Sequence, residues 1–359
     1  MSARRVLVVD DSAFMRGAVA RLIDSDPRFE VVGQARDGEE AVRMARELSP
    51  DVISMDFNMP RLNGAQATRA ILAERAVGIV MLSAHTKEGA EETLDALGAG
   101  AVDFVPKPGG EVSTNLSEIK DVLLSKLAAA GGANLKALSA LSSNRAEAEE
   151  APPVSTRSLP PGGSRRPDAT RPMPSGLRVI AIASSTGGPA ALTRVVPRLD
   201  LRGSALVIVQ HMPEGSRALA DQLSQLSPFK VQEATGGEQL REGVALVAPG
   251  GFPPASRARR ARALDVGGRQ DGVRPVADVT LKSVGEAFGP RAAGVVLTGM
   301  GRRHFGLASL KAAGGRTLAQ DQASSVVYGM PKAAAELGVV DEVVALERVA
   351  ATVTRLVAS

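Results

Sequence analysis

The chain has 359 residues, 44% of them hydrophobic and 23% charged, an ordinary balance for globular domains. It contains no cysteine, which excludes a disulfide framework, a zinc–thiolate site and a thiol nucleophile and suits a reducing cytoplasm. The net charge is only +4 and aromatic residues make up 3%, with no Trp and one Tyr, so base-stacking recognition of nucleic acid is not expected.

At about 150 residues per domain, two domains are expected. No apolar run approaches the roughly 18 residues needed to cross a bilayer, so no membrane insertion is expected. Met1 to Arg5 lead only into Val6 to Val9 before two aspartates, which is not the pattern of a signal peptide. Val6 to Val9 predict a buried strand, followed by a helix from Ala13 to Asp24. Glu30 to Val32 predict a second strand, with a helix through Glu40 to Leu48. Further strands are expected at Val52 to Met55, Ile79 to Leu82 and Val102 to Val105. Continuous Val/Ile strands separated by amphipathic helices predict a parallel sheet covered on both faces.

From Ser142 to Gly176 the composition turns to Pro, Ser and Arg, as in Pro160-Pro161-Gly162-Gly163 and Arg165-Arg166-Pro167. Such a stretch lacks the apolar surface for a core and reads as a linker. Strand-like runs then restart at Val179 to Ile182, Ala205 to Val209 and Gly294 to Leu297. The expected architecture is α/β: two doubly wound parallel-sheet domains, one flavodoxin-like at 4–128 and one Rossmann-like at 177–359, joined by a linker at 129–176.

In the first domain Asp10 and Asp11 follow strand one, Asp56 follows strand three, Ser83 follows strand four and Lys107 follows strand five. In a parallel sheet these positions share the carboxyl edge, where open α/β sheets bind ligands. Three converging carboxylates repel one another, and a hard divalent cation such as Mg²⁺ relieves that repulsion. A carboxylate is also a competent nucleophile toward phosphate. Aspartates at strand ends also cap helices, but five such positions on one edge favour a phosphoryl-accepting pocket.

These residues closely resemble the receiver domain of bacterial response regulators, through Val8-Val9-Asp10-Asp11-Ser12, Met55-Asp56-Phe57-Asn58-Met59-Pro60, Asn63-Gly64, Leu82-Ser83-Ala84 and Lys107-Pro108. The resemblance implies that Asp56 accepts phosphate from a histidine kinase. It implies further that Asp11, Asp56 and the Asn58 backbone hold Mg²⁺ with help from Asp10, and that Ser83 and Lys107 sense the phosphorylated state.

In the second domain Ser184-Ser185-Thr186-Gly187-Gly188-Pro189 lies between a strand and a helix start. Alone, the motif suits a phosphate cradle or a serine on a sharp turn beside an oxyanion hole. His211 directly follows the next strand and favours the second chemistry, because serine needs a base to take its proton.

Together with Val209-Gln210-His211-Met212-Pro213, Ala248-Pro249-Gly250-Gly251, Leu297-Thr298-Gly299-Met300-Gly301 and Val326-Val327-Tyr328-Gly329-Met330-Pro331, this region resembles the catalytic domain of the chemotaxis methylesterase (CheB) family. The resemblance implies a Ser185 nucleophile, a His211 base and oxyanion donors near Thr186 and Met300. It implies a hydrolase step without a cofactor, acting on glutamate methyl esters of chemoreceptors and deamidating receptor glutamine. Expected partners are those receptors and the chemotaxis kinase, with phosphorylation of Asp56 relieving a block by the receiver. The family pattern places an aspartate after Gly-Met-Gly, whereas here Arg302-Arg303-His304 follow. Asp278 and Asp321 are the motif-like acids left to replace it. Without a replacement, the alternative is a phosphorylation-dependent receptor-binding protein with impaired turnover.

Overall fold

The computed structural model describes residues 2–83, 87–107, 116–141, 176–212, 216–235, 238–249, 277–301 and 305–358. They fall into two compact units, Met1–Arg145 and Ala146–Ser359.

The first unit alternates strand and helix: β1 (Arg4–Val9), α1 (Ala13–Asp24), β2 (Phe29–Ala35), α2 (Gly38–Leu48), β3 (Val52–Asp56), α3 (Gly64–Glu74), β4 (Gly78–Ser83), α4 (Lys87–Gly98), β5 (Asp103–Pro106) and α5 (Leu116–Ala130). Residues 135–141 add a short helix, α6. The strands pair in the order β2-β1-β3-β4-β5, all parallel. This is the flavodoxin-like order, whose switch point lies between β1 and β3. Val6 to Val9, Ile53, Met55 and Ile79 to Leu82 are fully buried, as helices on both faces require. Three helix starts are capped by side chains: Ser12 accepts from Met15 N–H, Asp37 from Glu40 N–H, and Asn63 forms a reciprocal capping box with Gln66.

The second unit contains β6 (Arg178–Ser184), α7 (Gly188–Val195), β7 (Ser204–Gln210), α8 (Ser216–Leu226), β8 (Val231–Glu233), β9 (Ala245–Val247), α9 (Ala277–Phe288), β10 (Ala292–Val296), α10 (Phe305–Ala312), β11 (Arg316–Gln320), α11 (Met330–Glu336), β12 (Glu342–Val344) and α12 (Leu346–Ala358). Its seven strands run in the order β12-β11-β10-β6-β7-β9-β8, again all parallel. The chain builds outward from β6 through β7 and then returns to the other side of β6 with β10. The crevice between β6 and β10 is therefore the switch point, where such sheets place their ligands.

Both sheets agree with the expected fold class. Four strands were not anticipated. Strands β8, β9 and β12 have three residues each, too short for a periodic signal. Strand β11 buries Thr317 and Gln320 beside Leu318 and Ala319, so its burial does not follow hydrophobicity. The chain expected as linker from 129 ends α5 at Ala130, turns, and forms α6 at 135–141, with Leu138 and Leu141 buried. Residues 142–175 and the Arg257–Arg262 run lie outside the described residues. Among the described residues no helix is long and apolar enough to cross a membrane.

Helices α9 and α10 touch backbone to backbone. A Cβ on Gly285 would lie 2.6 Å from the Leu310 Cα, and a Cβ on Gly306 would collide with the Asp278 backbone. Gly285→Ala gains about 1 kcal/mol of helix propensity, yet the methyl meets main chain that has nowhere to go. The expected net effect in urea denaturation is a loss of about 1–2 kcal/mol. A stabilised Gly285→Ala variant would refute the close crossing.

Candidate functional site

The first site lies at the carboxyl edge of the β2-β1-β3-β4-β5 sheet. Strand β1 delivers Asp10 and Asp11, β3 ends at Asp56, β4 ends at Ser83, and Lys107 follows β5. Local bonds hold this edge in shape. The Ser12 N–H donates to Asp10 Oδ1 at 2.9 Å, and Arg16 donates to the Asp10 carbonyl at 2.8 Å. The Lys107 N–H donates to the Ser83 carbonyl at 2.7 Å, which joins the ends of β4 and β5. Gly64 packs against the Asp56 carbonyl so closely that a Cβ would collide with it.

The Lys107 ammonium reaches Asp56 Oδ1 at 2.8 Å and Asp10 Oδ2 at 2.9 Å. Burial opposes its charge, but the two carboxylates outweigh burial and hold its pKa above the usual lysine value. Asp56 shows the opposite balance. Burial pushes its carboxyl up to about 6 despite the pull of Lys107, and the charges of Asp10 and Asp11 add to the rise. The carboxylates of Asp10, Asp11 and Asp56 each place an oxygen within 4.8 Å of the others. Hard oxygen donors at that separation suit a divalent cation of the Mg²⁺ type. Asp10 Oδ2 fits the same reading, being buried with an ion pair but without hydrogen-bond geometry. The Asn58 side chain points elsewhere, donating to Glu92 Oε2 on α4 at 3.1 Å.

The second site spans three adjacent strands of the other sheet. Strands β6 and β7 pair in register up to Ser184 opposite Gln210. Ser185 and His211 are each the next residue, on neighbouring chains about 4.8 Å apart. Both are half-buried. The His211 N–H donates to the Ser184 carbonyl at 3.1 Å. The two serines of the motif differ sharply. Ser184 is fully buried and its hydroxyl donates to Gln210 Oε1 at 2.7 Å, whereas Ser185 retains exposure. Gly187 takes a left-handed φ of 75° where the chain turns into α7, and Pro189 lies in the first turn of that helix.

The loop after β10 closes the site from the other side of β6. The Ser185 N–H donates to the Thr298 carbonyl at 3.0 Å. Thr298 Oγ1 donates to the Thr186 carbonyl at 3.0 Å and accepts from Val327 N–H at 2.9 Å. Gln320, fully buried at the end of β11, accepts from Thr298 N–H at 2.8 Å and donates to the Ser324 carbonyl at 2.9 Å. Sequence reading singled out neither Thr298 nor Gln320 for a role; the available signal for Gln320 was a lone amide in an otherwise buried strand. Gly299 lies directly against the serine, since a Cβ there would be 2.6 Å from Ser185 Cβ and 2.9 Å from Ser185 N. The Met300 N–H has no acceptor among the described residues.

The acids considered as replacements are committed elsewhere. Asp321 Oδ1 accepts from Ser324 N–H at 2.9 Å and from the Ser324 hydroxyl at 2.6 Å. It follows β11, which is three strand spacings from β7, or about 14 Å. Asp278 Oδ1 accepts from Gly306 N–H at 2.9 Å, tying α9 to the start of α10. Residues 302–304 lie outside the described residues.

A family model described as CheB methylesterase matches residues 180–353, and one described as response regulator receiver domain matches residues 6–115. A protein-glutamate methylesterase/protein-glutamine glutaminase of Symbiobacterium thermophilum is 45% identical over 98% of this chain and 97% of its own length. The chain belongs to the CheB methylesterase family. Another protein-glutamate methylesterase/protein-glutamine glutaminase, from Pyrococcus abyssi, is 41% identical over 98% of this chain and 93% of its own length. Among solved structures, the Thermotoga maritima CheB methylesterase catalytic domain is 34% identical, covering 50% of this chain and 98% of that one, with a TM-score of 0.46.

Two outcomes follow from the geometry. A carboxyl whose pKa is raised in the fold holds its proton more tightly folded than unfolded. The resulting stabilisation is complete below the ordinary value of 3.8 and is lost as pH rises through about 6. Asp56→Asn has no such proton to lose, and it is expected to gain on the wild type over that range by up to about 3 kcal/mol. Urea melts at stepped pH check this, and a pH-independent difference contradicts it. Gly299→Ala pushes a methyl into Ser185 and is expected to lower turnover about 100-fold while leaving the melting temperature of the receiver unit unchanged.

Proposed function

We propose that the Ala146–Ser359 unit is a serine hydrolase that demethylates glutamate methyl esters on chemoreceptors, with its turnover raised by phosphorylation of Asp56 in the receiver. The observation that carries this reading is the placement of Ser185 and His211 one residue beyond the last registered pair of β6 and β7. In it, His211 takes the Ser185 proton as the hydroxyl attacks the ester carbonyl. The negative oxygen that develops is met by main-chain N–H groups, assigned to Met300 and Thr186. His211 then returns the proton to the departing methoxide, methanol leaves, and water hydrolyses the acyl-serine to the free glutamate. Glutamine follows the same route with ammonia as the leaving group. The name of the relatives, protein-glutamate methylesterase/protein-glutamine glutaminase, supports both substrates.

In the receiver, Asp56 is the phosphoryl acceptor, with Ser83 and Lys107 contacting the transferred group. Asp10, Asp11, Asp56 and the Asn58 carbonyl would hold Mg²⁺, which when bound offsets the charge on the phosphoryl oxygens. The Lys107 ammonium, already paired with Asp56, adds a second positive charge at the same place. The partners in this reading are the receptors and the chemotaxis histidine kinase, met at the cytoplasmic side.

Methanol release from methylated receptor membranes tests the proposal. The full chain should respond to Mg²⁺ and a small-molecule phosphodonor with at least a tenfold rise in rate. Asp56→Asn should keep the basal rate and lose the response. Ser185→Ala should lose turnover by about 1,000-fold or more. Equal rates for wild type and Ser185→Ala would refute the hydrolase.

A further inference from the structure

The strands that carry Ser185 and His211 are tied together by the side chain of a third residue. Gln210 is the last residue of β7 and is 3% exposed. Its Oε1 accepts from the Ser184 hydroxyl at 2.7 Å. Its Nε2 donates to the Ser185 carbonyl at 3.0 Å and to the His211 carbonyl at 3.2 Å. One amide thus bonds the main chain of both residues at once. The Ser185 carbonyl also accepts from Gly188 N–H at 2.7 Å, so both its lone pairs are engaged.

The arrangement has one orientation. Turning the amide over would set Oε1 against two carbonyl oxygens, which have no proton to offer. The Ser184 hydroxyl, donating to Oε1, selects the same orientation from the other side. Gly188 makes the fit possible, because a Cβ there would collide with Gln210 Oε1.

We propose that Gln210, oriented by Ser184, is a positioning residue for the hydrolase. By fixing the Ser185 and His211 carbonyls it sets the separation and aim of the two side chains. The proposal rests on Ser185 and His211 acting as described under the proposed function. It differs from a packing role, because packing needs only the volume of the side chain, whereas aim needs its two donors and one acceptor.

The full-length Gln210→Met variant keeps the volume and removes all three bonds. Its kcat for methanol release is expected to fall about 100-fold, with KM within twofold. Ser184→Ala leaves Gln210 in place and removes only the bond that orients it; a fall of about tenfold in kcat is expected, the worth of one buried hydrogen bond. This second variant carries the test if Gln210→Met proves unstable. The ¹⁵N signals of the His211 imidazole should shift or broaden in both variants, and only three histidines, His85, His211 and His304, contribute to that spectrum. Wild-type kcat in both variants with unchanged His211 signals, while Ser185→Ala is inactive, overturns the positioning role alone. Wild type and Ser185→Ala turning over equally overturns the hydrolase reading, and the positioning role falls with it.

Discussion

Parallel pairing of β6 with β7 runs in unbroken register from Arg178 opposite Ser204 to Ser184 opposite Gln210. The chains part only where the two chemically distinctive side chains begin. Because parallel strands leave the sheet on the same edge, the backbone ladder carries a residue one step past the last pair on each strand to the same edge as its counterpart. The rest of the site is arranged around that pair. Strand β10 returns beside β6 and brings the Thr298–Gly301 loop to the opposite side, and Gln320 on β11 holds that loop through Thr298 N–H.

The two units solve a similar problem with opposite electrostatics. At the receiver edge three carboxylates crowd together, and a half-buried ammonium just past β5 is shared between two of them. The charges are many and the geometry is set by attraction and repulsion among them. At the hydrolase edge the polar groups around the serine are mostly neutral amides, hydroxyls and main chain. There the geometry is set by hydrogen-bond direction, which is strict in a buried setting because an unsatisfied donor or acceptor is costly. One edge suits transfer of a doubly charged group, the other attack on an uncharged ester.

Much of this was legible in the residues. Continuous Val and Ile runs at Val6 to Val9 and Ala205 to Val209 marked strands buried on both faces, and the acids, the serine pair and the histidine stood immediately after such runs. The switch point of the second sheet was not legible, since it depends on β6 finding β10 across more than a hundred residues. The choice between Ser184 and Ser185 rested on family likeness; the burial of Ser184 against Gln210 favours the same choice on physical grounds. The work of Gln320 was hidden for the same cause, because an amide in a strand reads as an exposed position until its partner across the sheet is known. Asp278 and Asp321 looked like spare acids; Asp321 turned out to cap a local turn, and Asp278 to tie α9 to the start of α10.

Gly299 and Gly306 share a property with a consequence for how this region can vary. Gly299 has no room for a side chain beside Ser185, and Gly306 has none beside the Asp278 backbone. They act as two anchorages, each pressed onto a separate support, so a side chain at either position must push the loop after β10 off Ser185 or α10 off the start of α9.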